Sequence, residues 1–299
     1  WGPRKLLKRF KDAFPGRAAP SRSAIAALLR RAGLSQPPRR RMRRQKGGRR
    51  TLRVYRPNEL WTIDFKGQFR TADQRWCYPL TVMDRASRYL VGCHGSLRID
   101  TGEVERLMQR LFHQYGLPEA IHSDNGAPFA STGLAGLSRL SVQWLKLGIR
   151  LHRSRPGCPQ DNGAHERMHR TLKAETARPP AAHLRAQQRR FVRFRAEYNH
   201  QRPHEALADQ PPAKLYQPSL RQPPSKLPKP QYPGHFEVRR VAENGCIKWQ
   251  GQFVFIGAAL RGEWLGIEEI DDGLWSVCFM EHLLARFDAR TMTLIDVPV

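Results

Sequence analysis

Residues 155–173 read RPGCPQDNGAHERMHRTLK, a loop rich in Pro and Gly followed by a run almost free of both, and that change marks a helix start. Asp161 is the expected N-cap, with the helix running from near Asn162. At 3.6 residues per turn Glu166, His169, Arg170 and Lys173 share one side, while Ala164, Met168 and Leu172 fall opposite. The second side should pack and the first should reach outward, with His169 a structural residue. Taken alone, this is an ordinary amphipathic surface helix.

Two stretches upstream change that reading. Residues 59–69, ELWTIDFKGQF, are apolar and β-branched and end in a Gly turn, which places Asp64 inside a strand. Residues 119–126, EAIHSDNG, are a short apolar run stopped by Asn-Gly, which places Asp124 at a strand end. Acids are poor strand formers, so each Asp requires a reason to be there. Three carboxylates meeting at one site would repel, since two unit charges ~4 Å apart cost ~4 kcal/mol at an effective dielectric of ~20. Cations relieve that repulsion, and an all-oxygen donor set of Asp64, Asp124 and Glu166 selects Mg²⁺ or Mn²⁺.

Asp64 in WTIDF, Asp124 in HSDNG and Glu166 in PGCPQDNGAHERMHRTLK, together with YNHQRPHEAL at 198–207, resemble the catalytic core of insertion-sequence transposases of the retroviral-integrase superfamily, the two-aspartate-one-glutamate type. The similarity extends over most of the chain. One departure is the 41 residues between Asp124 and Glu166, a longer interval than the usual pattern, which assigns the surplus to a loop or helix within 129–142.

The resemblance implies a DNA transposase that cleaves the 3′ end of a mobile element with water and then joins the freed hydroxyl to target DNA. It implies two Mg²⁺ or Mn²⁺ ions per site on Asp64, Asp124 and Glu166. Arg170 and Lys173 would steady phosphates of the element end, and Asn125, Gln160, Asn162 and Gly163 would shape the pocket. A surface salt bridge or a turn fits each of these residues equally well. The expected partners are double-stranded DNA and further copies of the chain, at least a dimer on DNA, at the bacterial nucleoid in the cytoplasm.

Composition agrees with a polyanionic partner. The 299 residues carry 52 Lys or Arg against 26 Asp or Glu, a net charge of +26, which favours nucleic acid over a membrane surface. Residues 1–56 hold 19 Lys or Arg against the single Asp12, so +18 of that total lies in under a fifth of the length. Five scattered cysteines without a C-x-x-C pair argue for free thiols in a reducing compartment and against a cysteine-built zinc site. No long apolar segment suggests a membrane span, and no Walker A pattern suggests a nucleotide triphosphate. The chain opens on Trp1 rather than Met, which reads as part of a longer reading frame.

In chain order, residues 1–36 read as a helix-turn-helix segment. Leu6, Leu7, Phe10 and Phe14 make one apolar stripe, and Ser21 caps a second helix with Ile25, Leu28, Leu29 and Ala32 inward and Arg22 and Arg30 outward, toward DNA. A generic helical hairpin gives the same pattern. Residues 37–56 form a basic linker in which Arg39, Arg40, Arg41, Arg43 and Arg44 would follow phosphates or a minor groove. Residues 57–208 give β-β-β-α-β-α-β-α with a final helix from Ala181 to His200, the α/β order of a ribonuclease H-like mixed sheet flanked by helices. Eight prolines within 209–234 predict an extended linker.

Residues 235–299 contain short strands and turns that predict a small all-β SH3-like barrel, filled by Phe236, Val238, Val241, Trp249, Phe253, Phe255, Trp264, Trp275, Val277 and Phe279. Two other functions fit parts of the pattern: a DNA-binding protein without transposition activity, and a ribonuclease H-type nuclease on hybrids, which the basic flanking segments disfavour.

Overall fold

The computed structural model describes residues 1–35, 53–65, 67–155 and 162–296. Arg39, Arg40, Arg41, Arg43, Arg44, Gln160 and Asp161 lie outside the described residues.

A mixed sheet is the centre of the molecule. Strand β1 (Trp61–Phe65) pairs antiparallel with β3 (Trp76–Asp84), which also takes β2 (Phe69–Arg70) and β4 (Leu90–Ser96). On its other edge β1 pairs parallel with β5 (Ala120–Ser123), and β5 pairs parallel with β6 (Arg150–Arg153). Strands with both faces covered show nearly continuous burial rather than alternation, and β1 and β3 do so: Trp61, Thr62 and Ile63 are all fully buried.

Helix α3 (Thr101–Tyr115) starts where the Asp100 side chain accepts from Glu103 N–H and stops at Gly116, whose φ of 74° suits a residue without Cβ. Its Val104, Leu107, Met108, Leu111 and Phe112 pack on Trp61, Ile63, Leu80 and Val82. Helix α4 (Arg139–Lys146) opens with a reciprocal Ser138–Ser141 capping box and adds Leu140 and Trp144 to the same core. The surplus between Asp124 and Glu166 is thus partly helical.

The opposite face carries α5 (Gly163–Thr176) and α6 (Leu184–His200), where Met168, Leu172, Phe191, Phe194 and Tyr198 meet Cys77, Met83, Leu90 and Cys93. Helix α6 begins three residues later than the sequence predicts because the His183 side chain accepts from Ala186 N–H, and Ala181 N–H donates to Gln187 Oε1 instead. The 198–207 motif closes this layer. Asn199 exchanges two hydrogen bonds with the Leu90 backbone, Arg202 pairs with Glu175, and the Tyr198 and His204 rings meet edge to face.

The proline-rich stretch does more than span a distance. Tyr216 stacks on Tyr89 with ring centroids 4.2 Å apart, Ser219 N–H donates to Tyr115 O, and Arg221 donates to Pro118 O, Leu147 O and Gly148 O. Residues 216–221 are a strap on the core rather than a free linker. A side chain at Gly116 would meet Ser219 O at 2.3 Å, so the strap also needs that glycine.

At the N-terminus α1 (Pro3–Ala13) and α2 (Arg22–Arg31) contact each other, and Ser21 Oγ accepts from Ala24 N–H as expected of the cap. Only Ile25 is buried there, and Leu28, expected inside, is 59% exposed. Two short helices cannot enclose a full apolar stripe. Arg4 pairs with Asp209 and the Arg202 guanidinium lies over the Trp1 ring, so α1 is held against the core.

The C-terminal strands depart from the expected barrel. Strands β7 (Glu237–Arg240), β10 (Trp264–Asp271), β11 (Leu274–Phe279), β12 (His282–Asp288) and β13 (Thr293–Asp296) form an open sheet in the order β13-β12-β11-β10-β7, and β8 (Cys246–Trp249) with β9 (Gln252–Phe255) is a separate hairpin. Among the described residues the sheet does not close. Val241, Trp249, Val277 and Phe279 are inside as predicted, but Phe253 (67% exposed), Phe255 (59%), Trp264 and Val238 are not. Strand β9 turns Val254 inward, and period-two alternation then sends both flanking phenylalanines out. Val142 and Leu145 of α4 complete this core, and Lys146 Nζ lies 2.8 Å from Glu263.

Candidate functional site

Strand pairing sets the neighbourhood of the two aspartates. The parallel register of β1 and β5 matches Trp61 with Ile121 and Thr62 with His122, and each chain runs on from there toward its aspartate. Neighbouring strands run ~4.8 Å apart. Asp64 is half-buried at the end of β1, while Asp124 is exposed just past Ser123, where its Oδ1 accepts from Gly126 N–H at 3.1 Å. Asn125 Nδ2 donates to Ser154 O at 2.8 Å and ties the Asp124 turn to the end of β6. Arg153 donates to Phe129 O, Gly136 O and Ser141 Oγ, which pins the long interval behind Asp124.

Helix α5 supplies Glu166 in its first turn, where the helix dipole favours an acid. Glu166 and Arg170 are exposed, and Lys173 is half-buried one turn further on the same side. Asn162 occupies the N-cap without a side-chain cap bond, and a Cβ at Gly163 would meet nothing within 4 Å. Arg22 and Arg30, the candidate DNA contacts on α2, are exposed.

The packed side of α5 corrects the sequence reading. It comprises His165, Met168, His169, Leu172 and Thr176, so His169 belongs to the inward face. His165 Nδ1 lies 2.6 Å from Thr62 Oγ1, its Nε2 lies 2.6 Å from Thr81 Oγ1, and His169 Nε2 lies 2.6 Å from the same Thr81 oxygen. His169 Nδ1 stands 3.6 Å from Asp64 Oδ2. Burial pushes His165 well below the usual histidine range, helped by the neighbouring His169, His122 and Arg85. This histidine is a neutral strut that docks α5 on β1 and β3.

Sequence reasoning missed His165, Thr62 and Thr81. The available signal was a pair of histidines at i and i+4 flanking Glu166, with a threonine two residues before Asp64.

The three carboxylates offer the hard oxygen donors that a small divalent cation requires. Among the described residues, however, no three His, Cys, Asp or Glu side chains come close enough together to hold a metal ion. The donor chemistry fits, and the ligand shell is not closed.

A family model for the integrase core domain matches residues 54–159, a second integrase core model matches 147–212, and the model for the C-terminal domain of IS481 family transposases matches 236–294. The insertion-element IS476 protein of Xanthomonas euvesicatoria is 28% identical over 218 residues, 72% of this chain and 60% of that protein. The two integrase core models together run from 54 to 212, so the chain carries an integrase core. It is also 30% identical over 189 residues to the insertion-element IS407 protein of Burkholderia multivorans, covering 61% of this chain and 64% of that one. It is 33% identical over 129 residues to the Gag-Pol polyprotein of baboon endogenous virus, 42% of this chain and 7% of the polyprotein. The chain therefore spans about three fifths of these insertion-element relatives and a small part of the polyprotein.

Among solved structures, the HTLV-2 integrase catalytic core in complex with magnesium matches 55% of this chain and 100% of its own with 14% identity and a TM-score of 0.44. A chain of the simian T-cell lymphotropic virus intasome in complex with a PP2A regulatory subunit matches 94% of this chain and 98% of its own with 17% identity and a TM-score of 0.48. No helix among the described residues is long and apolar enough to cross a membrane.

Proposed function

We propose that this protein is a transposase that performs divalent-metal-dependent phosphoryl transfer on DNA, cleaving the 3′ end of its element and joining that end to target DNA. The observation that supports the reading is the parallel pairing of the Asp64 strand with the strand that ends just before Asp124, with Glu166 on the helix docked against β1 and β3. Asp64, Asp124 and Glu166 would hold two Mg²⁺ or Mn²⁺ ions, which when bound supply Lewis-acid activation of the attacking oxygen and stabilisation of the leaving one.

The other residues bind and orient. Arg170 and Lys173, on the Glu166 side of α5, would take phosphates of the element end. Asn125, Gln160, Asn162 and Gly163 would shape the surrounding pocket. The excess of positive charge within 1–56 supports DNA binding by Arg22 and Arg30 and by the linker arginines 39, 40, 41, 43 and 44. The proposed units are residues 1–36, 37–56, 57–208, 209–234 and 235–299, acting as a dimer or larger assembly on DNA, as one copy cannot hold two ends.

The deciding experiment is cleavage and strand transfer on labelled element ends with Mg²⁺ or EDTA, comparing the protein with Glu166→Gln. Metal-dependent product that falls by ~1,000-fold or more in the variant, a loss of several kcal/mol of barrier lowering, with DNA binding retained, supports the reading. Equal DNA binding with no product from either protein overturns it. The open carboxylate arrangement and the basic N-terminal region would then favour a DNA-binding protein without transposition activity.

A further inference from the structure

Beneath Asp64 lies a buried polar chain on which the proposed chemistry makes no direct demand. Thr62, Thr81, His165 and His169 are all buried, and they are linked by three contacts of 2.6 Å: Thr62 Oγ1 to His165 Nδ1, His165 Nε2 to Thr81 Oγ1, and Thr81 Oγ1 to His169 Nε2. The far nitrogen of His169, Nδ1, is 3.6 Å from Asp64 Oδ2. The rings of His165 and His169 meet edge to face with centroids 4.5 Å apart, so neither turns without displacing the other.

Proton bookkeeping gives this chain a direction. Each threonine hydroxyl has one proton: Thr62 can give it to His165 Nδ1 at 2.6 Å or to Met83 O at 3.2 Å, and Thr81 to the Nε2 of His165 or of His169, each at 2.6 Å, or to Asp64 O at 3.2 Å. A neutral imidazole donates from one nitrogen and accepts at the other. If Thr62 donates to His165 Nδ1, then His165 Nε2–H donates to Thr81, Thr81 donates to His169 Nε2, and His169 carries its proton on Nδ1, facing the Asp64 carboxylate. The reverse order, with Thr62 donating to Met83 O, His165 Nδ1–H to Thr62, Thr81 to His165 Nε2 and His169 Nε2–H to Thr81, also satisfies the three short contacts, but a neutral His169 then turns a lone pair toward the Asp64 carboxylate. That repulsion selects the first order, which points every donor toward Asp64.

We propose that His169, its tautomer fixed through Thr81, His165 and Thr62, is the positioning residue that orients the Asp64 carboxylate for cation binding. The inference rests on the reading of Asp64 as a cation ligand. Holding Oδ2 against the Nδ1–H sets the rotation of the carboxylate about its bond to the strand, and therefore the direction of Oδ1. At 3.6 Å the contact is a charge–dipole attraction rather than a hydrogen bond, strong enough to orient and too long to neutralise the acid. Groups that orient metal-binding carboxylates typically cost 10- to 100-fold in metal affinity when removed.

The test is calorimetric titration of the full chain with Mn²⁺, alongside DNA cleavage at rising Mn²⁺, for Asp64→Asn, Thr81→Val, Thr81→Ser, His169→Leu and His169→Asn. The expected result is loss of Mn²⁺ binding in Asp64→Asn and about tenfold weaker binding in Thr81→Val and His169→Leu. Cleavage in those two variants should recover when Mn²⁺ is raised, which a general packing defect would not allow. Thr81→Ser keeps the hydroxyl, and His169→Asn can offer an amide N–H toward Oδ2, so both should bind Mn²⁺ within about threefold of the parent.

Parental affinity in Thr81→Val, with Asp64→Asn dead, overturns the positioning role and leaves the ligand reading intact. Equal losses in Thr81→Val and Thr81→Ser also overturn it, because the hydroxyl would then not be the cause. Parental Mn²⁺ binding in Asp64→Asn overturns both readings together.

Discussion

On one face of the central sheet Trp61, Ile63, Leu80 and Val82 meet the apolar side of α3, and one residue along the same strands Thr62 and Thr81 meet His165 and His169 of α5. The first face is a close-packed interior whose energy comes from area removed from water, ~1.5–3 kcal/mol for each large side chain buried. The second gives up some of that area for hydrogen bonds whose net contribution is ~0.5–1.5 kcal/mol each. What it gains is direction, because an imidazole pinned at both nitrogens has one orientation whereas a leucine has only a volume. The contrast separates the part of the sheet that holds the fold from the part that aims Asp64.

The comparison breaks most readily on the apolar side. Phe112→Ala, deep between α3 and Trp61, should cost ~3–5 kcal/mol in urea denaturation while the remaining folded protein binds Mn²⁺ like the parent. A matching loss of Mn²⁺ affinity would mean that the two faces are not separable.

A second way to sharpen it is pH. His165 is held neutral by burial, and His204 is pushed down to about 4, first by burial and then by Lys5, Arg202 and Arg88. In the unfolded chain both take a proton near pH 6.5, whereas the folded protein resists. Their contribution is therefore fully present above pH 6.5 and is lost as pH falls from there toward 4, by roughly 2–3 kcal/mol for His204 alone. Thermal melting should be flat above pH 7 and decline below 6.5, and His204→Asn should flatten part of that decline. An unchanged slope would remove His204 from the account.

The smallest effect concerns the junction with the C-terminal sheet. Lys146 and Glu263 are both mostly covered and 2.8 Å apart, so Lys146→Met should cost about 1–2 kcal/mol by leaving Glu263 without its partner. Local proteolysis between 222 and 235 should rise with it. No change in either measurement would show that Val142 and Leu145 hold the junction unaided.

Much of the core was legible because its signals are local. The strand that holds Asp64, the strand that stops at Asp124, the Ser21 cap and the helix start near Asn162 each follow from a few neighbouring residues, and all appear where the sequence places them. The face of α5 was misread because His169 counts as polar in a periodicity argument. Its burial depends on Thr81 lying across from it, and the two are 88 residues apart in sequence. The C-terminal core was misread for a related reason. Phe253 and Phe255 look like core residues by type, but a strand alternates, and which phase faces inward is fixed by the partner surface.

By itself, then, the sequence singled out three candidate carboxylates, the alternation of strands and helices around them, and the positive charge that calls for a polyanion. Those are properties of residue type and short-range spacing. Only the tertiary structure decided that the strand of Asp64 lies parallel beside the one that ends before Asp124, that a buried Thr–His chain lies beneath Asp64, that the proline-rich strap is bound to the core, and that the C-terminal sheet stays open among the described residues. Each of these is a contact between residues distant in sequence, and chain periodicity carries no information about which distant surface it will meet.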